Sequence, residues 1–89
     1  MAKIISAAVK IYDKKQGKLI IMPCHRHCDA FHILREFGYR RSDYDILDQG
    51  FLDRNYIFLS RVEAKIAARE SNQLLQDDPD PALYSEDLW

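Results

Sequence analysis

The stretch that decides the fold is KIISAAVKIYDKKQGKLIIM, residues 3–22. Its first half, residues 3–12, is rich in β-branched residues that alternate in part between two faces, as in a strand that lies with one face on a core. Gly17 suits the positive φ of a turn, and residues 18–22 form a second apolar stretch. We therefore predict a β-hairpin, which Pro23 ends. The alternation places Ile5, Ala7, Val9 and Ile11 on one face of the first strand, and the other face has Ile4, Ser6, Ala8, Lys10 and Tyr12.

A helix is predicted directly after the hairpin. Asp29 is a suitable N-cap, and Gly38 suits the position just beyond the last turn, which gives a helix that ends at Phe37. Between them, apolar residues recur at a spacing of three and four, as on the buried face of a helix. These residues are Ala30, Ile33, Leu34 and Phe37.

Two short strands and a second helix are predicted next. Residues 46–52 and 56–59 are apolar stretches on either side of a turn at Asp53-Arg54-Asn55. Ser60-Arg61-Val62-Glu63 matches the capping box, in which each of the two end side chains accepts a hydrogen bond from the main-chain N–H of the other. We expect the helix to run from Arg61 to about Asn72.

The order of these elements predicts an α+β fold: a small, mostly antiparallel sheet in ββαββα order, with two helices on one face. Residues 1–76 are expected to form a single domain. The proline-rich DDPDP segment then breaks regular structure, and residues 77–89 form an acidic C-terminal tail that ends in the apolar pair Leu88 and Trp89. We expect this tail to dock on the domain or on a neighbouring subunit. A chain of this size is expected to form a homo-oligomer.

Charge is divided unevenly along the chain. All 13 Lys and Arg lie in residues 1–69, whereas residues 71–89 contain five acidic residues and no basic one. A basic body and an acidic tail favour either a tail that folds back onto the body or two surfaces that serve different partners. The net charge of −1 lacks the basic excess typical of proteins that bind duplex nucleic acid.

Composition and length indicate a cytoplasmic protein with reduced thiols. No apolar run approaches the roughly 20 residues of a membrane helix, and no signal peptide precedes the first strand. The two cysteines, Cys24 and Cys28, do not make a secreted disulfide framework. No cofactor is expected.

The hexapeptide CHRHCD, residues 24–29, concentrates more ligating and reactive side chains than any other stretch. Cys24, Cys28 and His32 are weak candidates for a metal site, because zinc sites usually pair two separated ligand couples and no second couple is present. A nucleophilic cysteine beside histidines is a further alternative, although catalytic partners usually converge from different elements. Packed or partly exposed thiols are the simpler interpretation.

An anion site is the third interpretation of this region. Arg26 and His27 precede a helix whose N–H groups attract negative charge. Arg61 and Lys65 begin a basic stripe on the second helix, which Arg69 continues. An aromatic ring could stack on a base. The residues predicted to contact a phosphate-bearing ligand are Arg26, His27, Arg61 and Lys65, and the predicted stacking rings are Phe51 and Tyr84.

Four segments together resemble a family of small bacteriophage and prophage proteins. They are Arg26-His27-Cys28-Asp29, Gln49-Gly50-Phe51-Leu52, the run from Phe58 to Ala67, and Leu83-Tyr84-Ser85-Glu86-Asp87-Leu88-Trp89. The resemblance implies no catalytic role that carries over to these residues. The first segment has the form Arg-His-x-Asp, in which Cys28 occupies the unspecified position, and Cys24 lies outside the segment. The resemblance also implies that the protein works in the cytoplasm of a host cell, on host defence or host machinery.

The leading functional prediction is therefore a phage-type binding protein that sequesters a small anionic, nucleotide-like ligand and so counters host defence. The alternative is a protein–protein inhibitor or assembly module that binds a host protein and has no small-molecule site. A small hydrolase is the third hypothesis, and a non-enzymatic role is favoured. No membrane partner is expected.

Overall fold

A computed structural model describes residues 3–89. Its regular elements, in chain order, are β1 (Ile4–Asp13), β2 (Lys18–Cys24), α1 (His27–Glu36), a 3-10 turn (Arg41–Asp43), β3 (Tyr44–Asp53), β4 (Phe58–Leu59), α2 (Arg61–Glu70) and a second 3-10 turn (Ser85–Asp87). The strands form one antiparallel sheet in the order β2-β1-β3-β4. The predicted α+β fold and its ββαββα order are confirmed.

The core lies between the sheet and the two helices. Its buried cluster combines one face of β1 with residues of both helices and of the C-terminal tail. Small side chains on α2 allow that helix to approach the sheet closely. The main members are Ile4, Ala7, Val9, Ile11, Ala30, Leu34, Phe51, Ala64, Ala68, Leu83 and Leu88.

A bulge corrects the predicted face of β1. The pairing with β3 shifts between Ile4 and Ser6, and such an extra residue turns the following side chains to the other face. Ile4 is therefore buried, with 2% of its surface exposed, whereas Ile5 is 44% exposed. The prediction that Ile5 shares a face with Ala7, Val9 and Ile11 was wrong, because those three residues are buried and Ile5 is not.

The first helix begins earlier than predicted. Arg26 is the N-cap of α1, and Asp29 is the third helical residue, whose carboxylate accepts a hydrogen bond from the Arg26 N–H at 3.1 Å. The earlier start places His27, Ala30 and Leu34 on the buried face. Ile33 and Phe37 are exposed, so their assignment to the core was wrong. Gly38 follows the helix with a φ of 85°, as predicted.

The second half of the sheet is asymmetric. β3 extends over ten residues, Tyr44–Asp53, and is longer than predicted, whereas β4 pairs with only two of them, Phe51 and Leu52. Gly50 makes this close pairing possible: a Cβ at that position would lie 2.2 Å from the Leu59 carbonyl oxygen. The capping box of α2 is present, with the Glu63 N–H donating to the Ser60 hydroxyl at 3.1 Å and the Ser60 N–H donating to Glu63 Oε1 at 3.0 Å.

The tail returns across the body of the molecule. Asp77 and Asp78 bind side chains of α2, and Leu83 and Leu88 enter the core. The indole N–H of Trp89 donates to the His25 carbonyl at 2.8 Å, and its ring stacks on the His25 ring. Among residues 3–89, no helix is long and apolar enough to cross a membrane.

Candidate anion-binding cleft

A cleft of about 280 Å³ opens where the N-termini of both helices meet the tail. Its position follows from the register of the sheet. Cys24 at the end of β2 pairs with Ala7, Ala7 pairs with Phe51, and Phe51 pairs with Leu59 at the end of β4, so both helices start at the same level. Its lining residues are Arg26, His27, Cys28, Arg61, Tyr84, Ser85 and Glu86. Four of the six predicted ligand residues thus come together: Arg26, His27, Arg61 and Tyr84.

Arg26 joins the start of α1 to the tail. Its guanidinium donates to the Ser85 hydroxyl at 3.1 Å and to the main-chain oxygen of Trp89. It also lies 3.6 Å from the Glu86 carboxylate. These contacts hold the guanidinium in one orientation across the cleft.

Arg61 approaches the cleft from the other helix. It is the first residue of α2, so the capping box at Ser60 sets its position. Its guanidinium donates to the Leu83 carbonyl at 3.0 Å and lies over the Tyr84 ring, 5.0 Å from the ring centre. No carboxylate of residues 3–89 forms an ion pair with it. Arg61 therefore contributes a positive charge that no direct ion pair neutralises.

His27 forms the floor of the cleft. Its Nε2–H donates to the Gly50 carbonyl at 2.8 Å, and its ring meets Phe51 edge-on at 5.2 Å. Burial lowers the pKa of His27, because the charged imidazolium is costly to desolvate. The neutral ring then serves to position the start of α1 against β3.

Glu86 is the acidic group of the cleft. Its pKa is lowered by a hydrogen bond from its own main-chain N–H and by one from the Ser85 hydroxyl, with smaller contributions from the nearby Arg26 and Arg61 charges. The carboxylate is therefore ionised at neutral pH. Two guanidinium groups and one side-chain carboxylate thus line the cleft.

Phe51 and Lys65 lie elsewhere. Phe51 is completely buried in the core and has no exposed ring face for a ligand. Lys65 has only 1% of its side chain exposed, and its ammonium group donates to Asp78 at 3.0 Å. Both positions looked suitable because sequence spacing shows neither which face of a strand is covered nor where the tail returns.

The remaining basic stripe of α2 is also occupied by the tail. Arg69 holds Asp77 through two hydrogen bonds of 2.9 and 2.8 Å. Together with the Lys65–Asp78 pair, this contact fastens the start of the tail to α2. We call these four residues the tail clasp. The stripe from Arg61 to Arg69 therefore splits: its first residue lines the cleft, and the other two bind acidic side chains of the same chain.

Ser85 and Glu86 line the cleft but were not among the predicted ligand residues. They belong to the segment Leu83–Trp89, the most specific part of the resemblance, but nothing in their spacing indicated a contact with Arg26. Trp89 was expected to dock because it is apolar. Its stacking on His25 depends on the path of the tail.

The cysteines do not gather around a common point. Both are free thiols; Cys24 is buried and Cys28 is exposed at the rim of the cleft. Burial raises the pKa of the Cys24 thiol to about 11, which keeps it protonated at neutral pH and unreactive as a nucleophile. Within residues 3–89, no group of three or more His, Cys, Asp or Glu side chains could hold a metal ion.

Comparison with known proteins gives one match at the level of a family. A family model described as Phage T4 y16D protein matches residues 3–89. No curated protein and no solved structure matches the chain. The matched range contains all the strands and helices and the tail that closes the cleft. It supports the predicted resemblance to a family of small phage proteins.

Proposed function

The chain belongs to the phage T4 y16D protein family, and from that premise we propose that it binds a small anionic, nucleotide-like ligand in the cleft between Arg26 and Arg61. The observation that carries the proposal is the convergence of two guanidinium groups from different helices on one opening that also contains the Tyr84 ring. Guanidinium groups are the preferred donors to phosphate and carboxylate oxygens, because their planar fork matches those groups.

The start of α1 adds to this attraction. The main-chain N–H groups at the beginning of a helix lack partners inside the helix and carry partial positive charge. His27 and Cys28 occupy the first two positions of α1 and line the cleft. A phosphate placed there would lie between these N–H groups and the two arginines, an arrangement that resembles known anion sites at helix starts.

Glu86 occupies the place that we assign to the ligand's anionic group. Its side chain is 73% exposed and lies 3.6 Å from Arg26, and exposed ion pairs of this kind contribute little free energy. A ligand with a stronger anion can therefore displace Glu86 at small cost. The cleft volume of about 280 Å³ is just below the range of ligand pockets, roughly 300–1,000 Å³. A ligand about the size of a mononucleotide is the expected occupant.

We assign the cleft to binding rather than hydrolysis because its histidine is already hydrogen-bonded within the protein. His27 donates its Nε2–H to the Gly50 carbonyl and is held neutral by burial, whereas a general acid or base must exchange a proton with the substrate. Sequestration of a host nucleotide signal is the use that we propose for such a site in a phage protein.

Thermal unfolding in the presence of a nucleotide panel tests the proposal. A ligand that binds only the folded state at a hundredfold excess over Kd stabilises it by about 2.7 kcal/mol, which raises Tm by roughly 10 °C or more in a domain of this size. The panel should include linear and cyclic mononucleotides and inorganic phosphate. No change in Tm with any of them would overturn the proposal.

One double variant and one control identify the site. Arg26→Ala combined with Arg61→Ala should abolish the Tm increase, because it removes both guanidinium groups from the cleft. Arg35→Ala is the matched control: Arg35 lies in the last turn of α1, away from the cleft, and its loss should leave binding unchanged. Recovery of unaltered ligand after denaturation would support sequestration, whereas a converted product would assign hydrolysis instead.

A further inference from the structure

β2 is an open edge of the sheet. Its seven residues, Lys18–Cys24, pair with β1 on one side, and no strand of residues 3–89 pairs with them on the other. An edge strand presents main-chain N–H and C=O groups that can pair with another chain. The opposite side of the sheet is different, because β4 and the start of α2 cover part of β3.

The position of Pro23 shows which groups face outward. Because proline has no N–H, an edge strand tolerates it where the backbone nitrogen faces away from the paired strand. Pro23 lies opposite Ala8 in the pairing with β1. Because strand residues alternate with a period of two, the N–H and C=O groups of Leu19 and Ile21 also point to the open edge.

The side chains along this edge are apolar and uncovered. Leu19 is 57% exposed and Ile21 is 40% exposed, and both lie on the face of the sheet opposite the core, beside Tyr12 and Lys10 of β1. Natural edge strands usually carry charges at such positions, which discourage pairing. Between Leu19 and Cys24, β2 has no charged residue.

We propose that a second copy of this chain pairs with β2, so that two β2 strands meet antiparallel about a two-fold axis at Ile21. Each Ile21 would then exchange two main-chain hydrogen bonds with its counterpart, as opposite residues in an antiparallel pair do. The Leu19 N–H would donate to the carbonyl of Pro23 in the partner. The missing N–H of proline therefore removes only the return bond to Leu19.

The distribution of charge favours pairing through β2 over pairing through the uncovered part of β3. A two-fold pairing of β2 keeps its one charged residue, Lys18, at the outer ends of the interface, where the two lysines are separated by most of the length of the strand. A similar pairing through the uncovered part of β3 would place the exposed Asp45 and Asp48 of both copies in one interface, four carboxylates in all. Like charges placed opposite each other across strands are destabilising.

Sedimentation velocity of the full chain tests the interface. A single strand pair is small beside the roughly 1,200–2,000 Å² of stable complexes, so we expect dissociation in the micromolar range and a dimer at about 100 μM protein. Ile21→Lys and Ile21→Glu should each give a monomer, because two like charges would face each other at the axis. Monomeric wild-type protein at this concentration would overturn the proposal.

Mixing the two variants separates a lost interface from a lost fold. Equal amounts of Ile21→Lys and Ile21→Glu should form a mixed dimer that native mass spectrometry resolves, since opposite charges then meet at the axis, whereas unfolded chains would not pair in this way. Leu47→Lys is the matched control, at an exposed apolar position on β3, and should leave the dimer intact. A dimer that survives Ile21→Lys, or no mixed dimer, would contradict the interface. The proposal does not depend on the ligand assigned to the cleft.

Discussion

Asp13, Asp53 and Asp87 are buried carboxylates, and each accepts hydrogen bonds from main-chain N–H groups no more than four residues away. Aspartate favours turns for this reason. Such contacts depend on local sequence alone, which is why the turns after β1 and β3 could be predicted. These three residues stabilise turns and do not line the cleft.

His27 shows where reasoning from single residues stops. Its place beside Arg26 suggested a ligand contact, yet it is packed under the cleft with its Nε2–H on the Gly50 carbonyl. That partner is far away in the sequence, and no local pattern points to it. His27 therefore lines the cleft as a neutral, packed ring and adds no positive charge to it.

The lowered pKa of His27 gives a prediction for stability against pH. The unfolded chain binds a proton at His27 with the ordinary pKa of 6.5, whereas the folded chain does so only at lower pH. The unfolded state therefore binds more protons below about pH 6.5, and the free energy of unfolding falls as pH decreases from there. Urea unfolding between pH 7.5 and 5 should show this fall.

The test compares two histidine variants. His27→Gln removes the titrating group and should flatten the dependence of the free energy of unfolding on pH in this window. His32→Gln, at an exposed position on α1, serves as the control and should keep the wild-type slope. An unchanged slope in His27→Gln would assign the pH dependence to other groups.

The start of α1 shows why a helix boundary is difficult to predict from local sequence. Both Arg26 and Asp29 are compatible with a helix start, and the structure uses Asp29 inside the first turn, where its carboxylate accepts from the Arg26 N–H. Starting at His27 changes which residues of the helix face the sheet. The apolar spacing in the sequence allowed either arrangement, and contact with β1 and β2 selected the one that buries Ala30 and Leu34.

The tail clasp gives a prediction at this scale. Asp78→Ala would leave the buried Lys65 ammonium without its carboxylate, whereas Lys65→Met removes the charge and keeps an apolar chain of similar volume. Breaking a buried pair by removing one partner destabilises more than replacing the charge by an apolar group. We expect Lys65→Met to change the free energy of unfolding by no more than about 1 kcal/mol, and Asp78→Ala to lower it further.

A double-mutant cycle in urea checks the pair directly. The double variant should resemble Lys65→Met, because Asp78 has lost its partner in both. A hydrogen bond from Lys65 is the main cause that lowers the pKa of Asp78 from its ordinary 3.8. The difference between wild type and Asp78→Ala should therefore be constant above about pH 4 and shrink below it. Equal effects of the two single variants, with no coupling, would contradict the pairing.

The C-terminal tail is part of the hydrophobic core. Leu83 is completely buried among residues of the sheet and α2, and its N–H donates to the Arg61 carbonyl at 2.9 Å. Arg26 holds the far end of the tail through Ser85 and Trp89. Tail and body should consequently unfold together.

Leu83→Ala should lower the free energy of unfolding by about 3 kcal/mol, because removing a fully buried leucine side chain leaves a cavity. The exposed Leu75 supplies the control, and Leu75→Ala should change it by less than about 0.5 kcal/mol. Trp89 is the only tryptophan, so its fluorescence reports on the tail while far-UV circular dichroism reports on the helices and sheet. Coincident urea transitions are expected, and an earlier fluorescence transition would show that the tail detaches first.

The candidate site was predictable only in part, for a physical reason. Arg26 and Arg61 could be proposed because each lies at a helix start, which is a local property. Phe51 could not be excluded, because its burial depends on how α1 covers the sheet. Glu86 could not be placed, because its approach to Arg26 depends on the returning tail.

The sequence by itself determined the local elements of this protein: the opening hairpin, the capping box at Ser60, the break before the tail and the division of charge. Each depends on the periodicity of side chains or on hydrogen bonds between near neighbours. Only the tertiary structure decided that Arg26, Arg61 and Tyr84 share one cleft while Lys65 is buried by Asp78. Those contacts join residues far apart in the chain, and only the packing of the helices and tail on the sheet brings them together.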